Sequence, residues 1–385
     1  MRVLHIGKYF PPASGGMERY LGELVAALEE QNVTSYVLAH TWDNTEPSLA
    51  HPSPKVTVQR VPTYGQVCYV PIAPAFPIYL IKAIRSFKPG VIHIHMPNAS
   101  GLWALLTTFS IPVVIHWHAD TIFPPEKKIH RALYALYRPF ESWLLRKADN
   151  IIATSNRYLE HSKPLRPHHG KCLVIPLGIQ SENLPVPTTS AIHATRQQWL
   201  KNDETNLIVS IGRFAYYKGF HNLVSAMQHV EHAHLVMIGS GEEFAAIEKQ
   251  ISECNLNDKI TLAGRVNDDE LHQLLAAADV FCLPSIERTE AFGMVLLEAM
   301  HHNTPCVSTS IPGSATDWVN KNGETGLVVS PDNISELADA LNKLTTDATL
   351  RKQFSAAATS RLQECFHINR TVKQLSNLYT KILGS

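Results

Sequence analysis

"RVLHIGKYFPPASGGMERYLGELVAALEEQN", residues 2–32, decides the fold class. Its first six residues form a short apolar run that stops at Gly7. A loop with Pro11, Pro12, Gly15 and Gly16 follows, and apolar residues then return at helical spacing from Met17 onward. Strand, glycine-rich turn and helix make the opening of a doubly wound α/β sheet. The alternation recurs in "TSYVLAH" (34–40), "VIHIHMP" (91–97), "PVVIHWHAD" (112–120), "NIIATS" (150–155) and "KCLVIPLG" (171–178). Short apolar runs separated by helical or loop material imply a parallel sheet covered on both faces.

A second series begins further on: "NLIVSIGR" (206–213), "HLVMIGSG" (234–241), "KITLAGRV" (259–266), "DVFCLPS" (279–285) and "TPCVSTS" (304–310). Between the two series, "SENLPVPTTSAIHATRQQWLKND" (181–203) has prolines and polar residues but no strand-like run, so the boundary is expected there. The domains read as 1–190, 191–365 and a closing helix at 366–385, "INRTVKQLSNLYTKILGS" included, that packs back on the first domain. The expected architecture is two doubly wound domains with a ligand cleft between them, at the carboxyl ends of the strands.

Composition agrees. The 385 residues exceed one ordinary core, and 45% are apolar, enough for two. Thirty-four basic residues balance thirty-four acidic ones, which gives no reason to expect nucleic acid as a partner. Six cysteines (Cys68, Cys172, Cys254, Cys282, Cys306, Cys365) form no CxxC pair, so a reducing cytoplasm is the simplest setting. "MRVLHIGKYFPP" enters a strand directly, without the apolar core of a signal peptide, and no apolar stretch is long enough to span a bilayer. A soluble or membrane-surface protein is expected.

The chemistry-bearing residues gather in the second series. Two glycine-rich strand-to-helix turns, "GRFAYYKG" (212–219) and "GSGEE" (239–243), expose backbone N–H groups of the kind that attract phosphate, and Arg213 and Lys218 add positive charge to the first. A diphosphate suits them. Neither turn, nor "PPASGGMER", has the GxGxxG spacing of a dinucleotide site, which disfavours nicotinamide chemistry. In "SIERTEAFGMVLLEAM" (285–300), Glu290 and Glu298 on one helix would stand ~12 Å apart, beyond the reach of a glycosidase pair. Gly293 instead starts the helix near Phe292 to Met294, leaving Glu290 in the loop and Glu298 in the first turns. The two acids then meet different parts of one elongated ligand, as carboxylates do when they accept from paired hydroxyls.

With these motifs in order, "EAFGMVLLE" as E-x7-E, "GRFAYYKG", the "GGMER" loop and a histidine in "HWHAD", the sequence resembles the retaining glycosyltransferases of family four, whose GT-B fold pairs two Rossmann-like domains. The resemblance covers nearly the whole chain. It implies that Glu290 meets the hydroxyls of the donor sugar and that backbone groups of Ala291, Phe292, Gly293 and Met294 approach sugar and phosphate. Glu298 holds the donor ribose, while Arg213 and Lys218 neutralise the pyrophosphate and support its departure. Gly15 and Gly16 belong to the loop that closes on the donor phosphate, Gly239 to the second phosphate-side turn, and Arg265 and Val266 to the stretch whose backbone reads the base. His118 meets the sugar's primary hydroxyl. The family is thought to react on the front face, the leaving phosphate taking the acceptor's proton. No D-x-D motif is present, so the cations replace a divalent ion, and neither metal nor cofactor is expected. The chain departs from the family at "IPLGIQ" (175–180), with Leu177 and Gln180 where many members have an asparagine and an aspartate.

His93 and His95, like His116 and His118, are i,i+2 pairs on strands that present both rings to one face. No carboxylate or cysteine completes a metal site in either pair, so packed or substrate-contacting roles are expected, with His95 and Asp120 as acceptor-side candidates. Residues 124–147 interleave Lys127, Lys128, Arg131, Arg138, Arg146 and Lys147 with Tyr134, Tyr137, Phe140 and Trp143, a composition suited to the headgroups of an anionic bilayer. The apolar loop "YGQVCYVPIAPAFPIYL" (64–80) suits a lipid chain. The expected activity is sugar transfer from a nucleotide donor, GDP-mannose first and a UDP-sugar next, to a lipid-linked glycan at the cytoplasmic face of the inner membrane, in lipopolysaccharide, O-antigen or exopolysaccharide synthesis. The alternatives are a non-hydrolysing nucleotide-sugar epimerase and a non-catalytic nucleotide-sugar binding protein.

Overall fold

The computed structural model describes residues 1–384 except 14, 44, 45, 47, 68, 108, 109, 124–126 and 201–204. Cys68, Pro124, Pro125, Glu126 and the end of the 181–203 stretch therefore lie outside the described residues. The chain divides into two compact units, residues 1–178 with 368–385, and residues 179–367.

The first unit is built on an eight-stranded sheet in the order Cys172–Val174, Asn150–Ala153, Val113–Trp117, Val91–Met96, Arg2–Ile6, Thr34–His40, Val56–Val61, Leu49–Ser53. All neighbours are parallel except the last pair. Every residue of Val91–Met96 and Val113–Trp117 is buried, as central parallel strands covered on both faces must be. The helix Gly16–Glu30 buries Tyr20, Leu21, Leu24, Val25 and Leu28, one apolar stripe at helical spacing. Against it lies the helix Ile368–Leu383, which buries Ile368, Val372, Leu375 and Tyr379.

The second unit holds a six-stranded, all-parallel sheet in the order Ile260–Gly264, Ala233–Ile238, Asn206–Ile211, Val280–Leu283, Cys306–Thr309, Gly326–Val329. Numbered along the chain this is 3-2-1-4-5-6, the doubly wound order of dinucleotide-binding folds, with its reversal between Asn206–Ile211 and Val280–Leu283.

Three features differ from the sequence reading. The break between units falls at Gly178/Ile179 instead of 190/191, because residues 189–199 form a helix anchored in the second unit. Arg196 Nη1 donates to the Ala277 carbonyl at 2.7 Å and to Asp279 Oδ2 at 2.8 Å. The return to the first unit falls at His367/Ile368, not 365/366. Strands at Leu49–Ser53, Val56–Val61 and Gly326–Val329 were not expected; all three are at or next to sheet edges, where runs are short and partly polar. Among the described residues no helix is long and apolar enough to cross a membrane.

Candidate active site

In the second unit the loops leaving the reversal point carry the charged residues. Gly212 ends strand Asn206–Ile211 and the turn continues to Lys218 and Gly219, while Pro284 to Gly293 leave the neighbouring strand Val280–Leu283. Close backbone packing holds the turns in place. A Cβ on Gly239 would lie 1.9 Å from the Gly212 carbonyl oxygen, and one on Gly219 2.1 Å from that of Pro284. Phe214 N–H donates to the Ser240 carbonyl at 3.0 Å and Glu243 N–H to that of Phe214 at 2.9 Å, so "GRFAYYKG" and "GSGEE" form one surface.

On that surface the Lys218 ammonium meets Glu290 Oε2 at 2.5 Å, both side chains nearly buried at 10% and 11% exposure. Burial alone would lower the lysine's pKa. The Glu290 carboxylate, followed by Tyr217, more than offsets this and holds the pKa above the ordinary value, so Lys218 stays charged. Ser285 Oγ–H also donates to Glu290 Oε2, at 3.1 Å. The backbone is fixed as well: the Glu290 carbonyl accepts from Ser314 Oγ at 2.5 Å and the Ala291 carbonyl from Ala315 N–H at 2.9 Å. Arg213 is exposed, its guanidinium 6.0 Å from the centre of the Tyr217 ring, and Lys218 Nζ is 5.7 Å from the same ring. The two cations expected to act together do share one aromatic neighbour.

Gly293, at φ 81°, caps the helix Met294–His301, which leaves Glu290 in the loop and Glu298 inside the helix as the spacing predicts. Ala291 and Phe292 are buried, Phe292 edge-on to Trp318 and Phe366, so their side chains are packed within the unit and not offered to solvent. Met294 is half-buried and Glu298 buried. On the other side, Arg265 Nε donates to Ser240 Oγ at 2.8 Å, and Val266 is half-buried beside it. Arg213, Lys218, Gly239, Arg265 and Glu290 thus belong to loops at one end of one sheet.

The remaining candidates belong to the first unit. Gly15 caps the helix Gly16–Glu30, and the carboxylate of Glu18 folds back over it: a Cβ on Gly15 would lie 2.2 Å from Glu18 Oε2. Burial raises the pKa of Glu18, opposed by its own backbone N–H and by Lys8. This acid at the glycine turn escaped the sequence reading, although it stands in the quoted "GGMER". Asp120 is buried; its Oδ1 accepts from Trp117 Nε1 at 2.8 Å and Ser162 Oγ at 2.6 Å, and its N–H donates to Tyr158 Oη. Those bonds fix the loop after strand Val113–Trp117. His118 Nε2 lies 3.1 Å from His95 Nδ1, whose Nε2 lies 3.3 Å from His5 Nδ1. Sequence reasoning weighed the two histidine pairs separately and passed over His5. The sheet register, His5 beside His93 and His95 beside His116, unites all five rings on one face.

Two family models match the chain, one for each unit. The model of group 1 glycosyl transferases matches residues 192–361, and that of glycosyltransferase family 4 matches residues 14–183. The chain belongs to the family 4 glycosyltransferases. O-antigen chain mannosyltransferase C of Escherichia coli is 25% identical over 100% of both chains, and the D-rhamnosyltransferase WbpZ of Pseudomonas aeruginosa is 29% identical over 95% of this chain and 92% of its own. Among solved structures, the sucrose-phosphate synthase of Thermosynechococcus elongatus superposes with a TM-score of 0.82 at 22% identity, covering 100% of this chain and 99% of its own. Anabaena HepE, solved with UDP, gives 0.76 at 20% identity over 99% and 100%. The fold is accordingly GT-B, and the protein is a glycosyltransferase.

Proposed function

We propose that this glycosyltransferase is a retaining enzyme that moves a sugar, mannose from GDP-mannose in the first instance, onto a lipid-linked glycan in lipopolysaccharide or O-antigen synthesis. The observation that carries the proposal is the Lys218–Glu290 pair at the reversal point of the second sheet, with Arg213 beside it. Breaking an anomeric bond to a diphosphate builds negative charge on the leaving group, so fixed cations and amides aimed at phosphate supply the main stabilisation. Glu290 takes one N–H of Lys218, and the ammonium has two more for phosphate oxygens. The acceptor's O–H oxygen bonds to the anomeric carbon as the carbon–phosphate oxygen bond breaks, and the proton passes to the departing phosphate. Arg213 and Lys218 do the work of a divalent ion in this scheme.

A mannosyl donor and an O-antigen acceptor are suggested by the Escherichia coli relative, an O-antigen chain mannosyltransferase that aligns over the full length of both chains. A lipid-linked acceptor is supported by the surface of the first unit. Along the helix Lys128–Lys147, Ile129, Leu133, Leu136, Phe140 and Trp143 form an exposed apolar stripe, while Tyr134 and Tyr137 turn inward. Phe140 and Trp143 also line an apolar pocket of about 460 Å³ with Val70, Ile72, Trp103 and Leu105. An apolar stripe flanked by lysines and arginines is the composition of a helix that lies on an anionic bilayer. We place the enzyme at the cytoplasmic face of the membrane.

A thermal-shift panel of GDP-, UDP-, ADP- and dTDP-sugars tests the donor, because a ligand of the folded state alone raises the melting temperature. The expected result is a selective shift with GDP-mannose, followed by transfer to a lipid-linked acceptor that persists in excess EDTA. A shift with another base replaces the donor; loss of transfer in EDTA overturns the metal-independent scheme.

A further inference from the structure

The imidazoles of the first unit form a chain. His5 Nδ1 is 3.3 Å from His95 Nε2, and His95 Nδ1 is 3.1 Å from His118 Nε2. All three rings are buried, and His118, at 5% exposure, is the one with the most surface. We propose that His5 and His95 are positioning residues that fix the tautomer of His118, so that its Nδ1–H is offered as a hydrogen-bond donor to a hydroxyl of the bound sugar. The inference rests on the proposed sugar transfer and on the place at the sugar's primary hydroxyl that the family resemblance implies for His118.

The direction of the chain follows from a nitrogen at its far end. Burial lowers the pKa of His5 and His118 to about 3 and that of His95 well below the usual value, so each ring is neutral and carries one N–H. Among the described residues the buried His5 Nε2 has no hydrogen-bond partner. An orphaned N–H is rarer in protein interiors than an orphaned acceptor, so the His5 proton belongs on Nδ1. His5 then donates to His95 Nε2, which places the His95 proton on Nδ1, where it donates to His118 Nε2. His118 is left with its proton on Nδ1. The same rule applies to His93, whose Nε2 has no partner among the described residues and whose Nδ1 lies 2.5 Å from Tyr379 Oη.

A metal ion is the competing occupant, because nitrogens of His5, His93 and His95, and of His95, His116 and His118, lie within 4.8 Å of one another. The rings argue against it. In the second group His116 and His118 are within 6° of parallel and His95 and His118 within 16°, a stack and not a convergence on one point, while in the first His5 is tilted by 41° to His93 and by 31° to His95. Both groups consist of histidines, so a divalent ion would bring its charge into the interior without an anion among its ligands.

Selective 15N-histidine labelling and long-range 1H–15N correlation spectra of the full chain at pH 7.5 read the tautomer without substrate, so failure here is separable from failure of the sugar-transfer reading. The His118 signals are assigned by their loss in His118→Ala. The expected result is a proton on Nδ1 of His118 in the wild type and in His95→Asn, whose amide N–H can stand in for Nδ1–H, and a shift toward Nε2–H in His95→Leu. With substrate, His95→Leu is expected to lower kcat on the order of tenfold with KM little changed, and His95→Asn to restore it. A proton on Nε2 in the wild type, an unchanged tautomer in His95→Leu, or one equivalent of zinc or copper by elemental analysis overturns the proposal. Should His95→Leu not fold, the wild type, His95→Asn and His5→Leu still decide it.

Discussion

Both units wind their sheets outward from a first strand with later strands on each side, but they furnish that turning point in opposite ways. In the second unit the ends of the strands lead into loops that hold ions, the Lys218–Glu290 pair and Arg213. In the first, the strands themselves carry His5, His93, His95 and His116 on one face, with His118 just past the end of Val113–Trp117, every ring kept neutral by burial. Charge is tolerable at a strand end, where backbone amides and solvent can meet it. Within a covered sheet face only the uncharged form of a titratable group is affordable. On the proposed reading the second unit meets an anion, and the first holds neutral donors and acceptors in fixed positions.

The largest effect that would break this contrast is on turnover. Glu290→Ala and Lys218→Ala are each expected to lower it by roughly 10²- to 10³-fold, the loss typical of one preorganised transition-state contact. Unchanged circular dichroism would show that the fold survives; near-normal rates in both would remove the second unit's claim to the chemistry. The same pair predicts stability. Lys218→Met leaves Glu290 with its hydroxyl partner but no cation, at a cost of about 3 kcal/mol in urea titration, whereas Lys218→Met with Glu290→Leu should recover most of that loss.

Acid sharpens the contrast from the other side. The unfolded chain protonates its histidines below about pH 6.5, but burial holds His5 and His118 neutral down to about pH 3 and His40 to about pH 4. The unfolded state thus binds more protons across that window, and stability falls as the pH drops through it, by about 1.4 kcal/mol per pH unit for each such histidine. Hydrogen exchange should accelerate in Val91–Met96 and Val113–Trp117 before it does in Asn206–Ile211. Simultaneous loss would show that the two units open together.

Smaller effects follow from the glycines. Gly239→Ala, with φ 135° and a carbonyl in the way, is expected to cost about 1–3 kcal/mol and weaken nucleotide-sugar binding, while Gly170→Ala, where a Cβ meets nothing within 4 Å, leaves the melting temperature nearly unchanged. The smallest effect on stability is predicted for Leu136→Asp, at 71% exposure, yet this variant should bind anionic vesicles more weakly in a sedimentation assay. Undiminished binding would turn attention away from the stripe.

Periodicity made the central strands and the helix Gly16–Glu30 legible in sequence, because buried parallel strands are continuous apolar runs with glycine at their ends. The short edge strands were not, since Leu49–Ser53 is mostly exposed and mixes polar with apolar residues, and Gly326–Val329, though apolar after its glycine, is only four residues long and half-buried. Glu290, Glu298 and the glycine between them could be placed because a single φ-positive residue dictates where the helix begins. His5 and Glu18 could not. Their importance depends on which strand lies beside which, and on a side chain folding back over a turn, and neither is written in local spacing.

The path of the chain has a consequence for synthesis. The first unit is interrupted by the whole of residues 179–367 and is complete only with the helix Ile368–Leu383, which supplies Tyr379 to His93. On the ribosome, the second unit has all of its strands before the first has its last helix. The part of the protein that begins first must therefore wait, with the apolar face that receives Val372 and Leu375 uncovered, until residues 368–383 have been made.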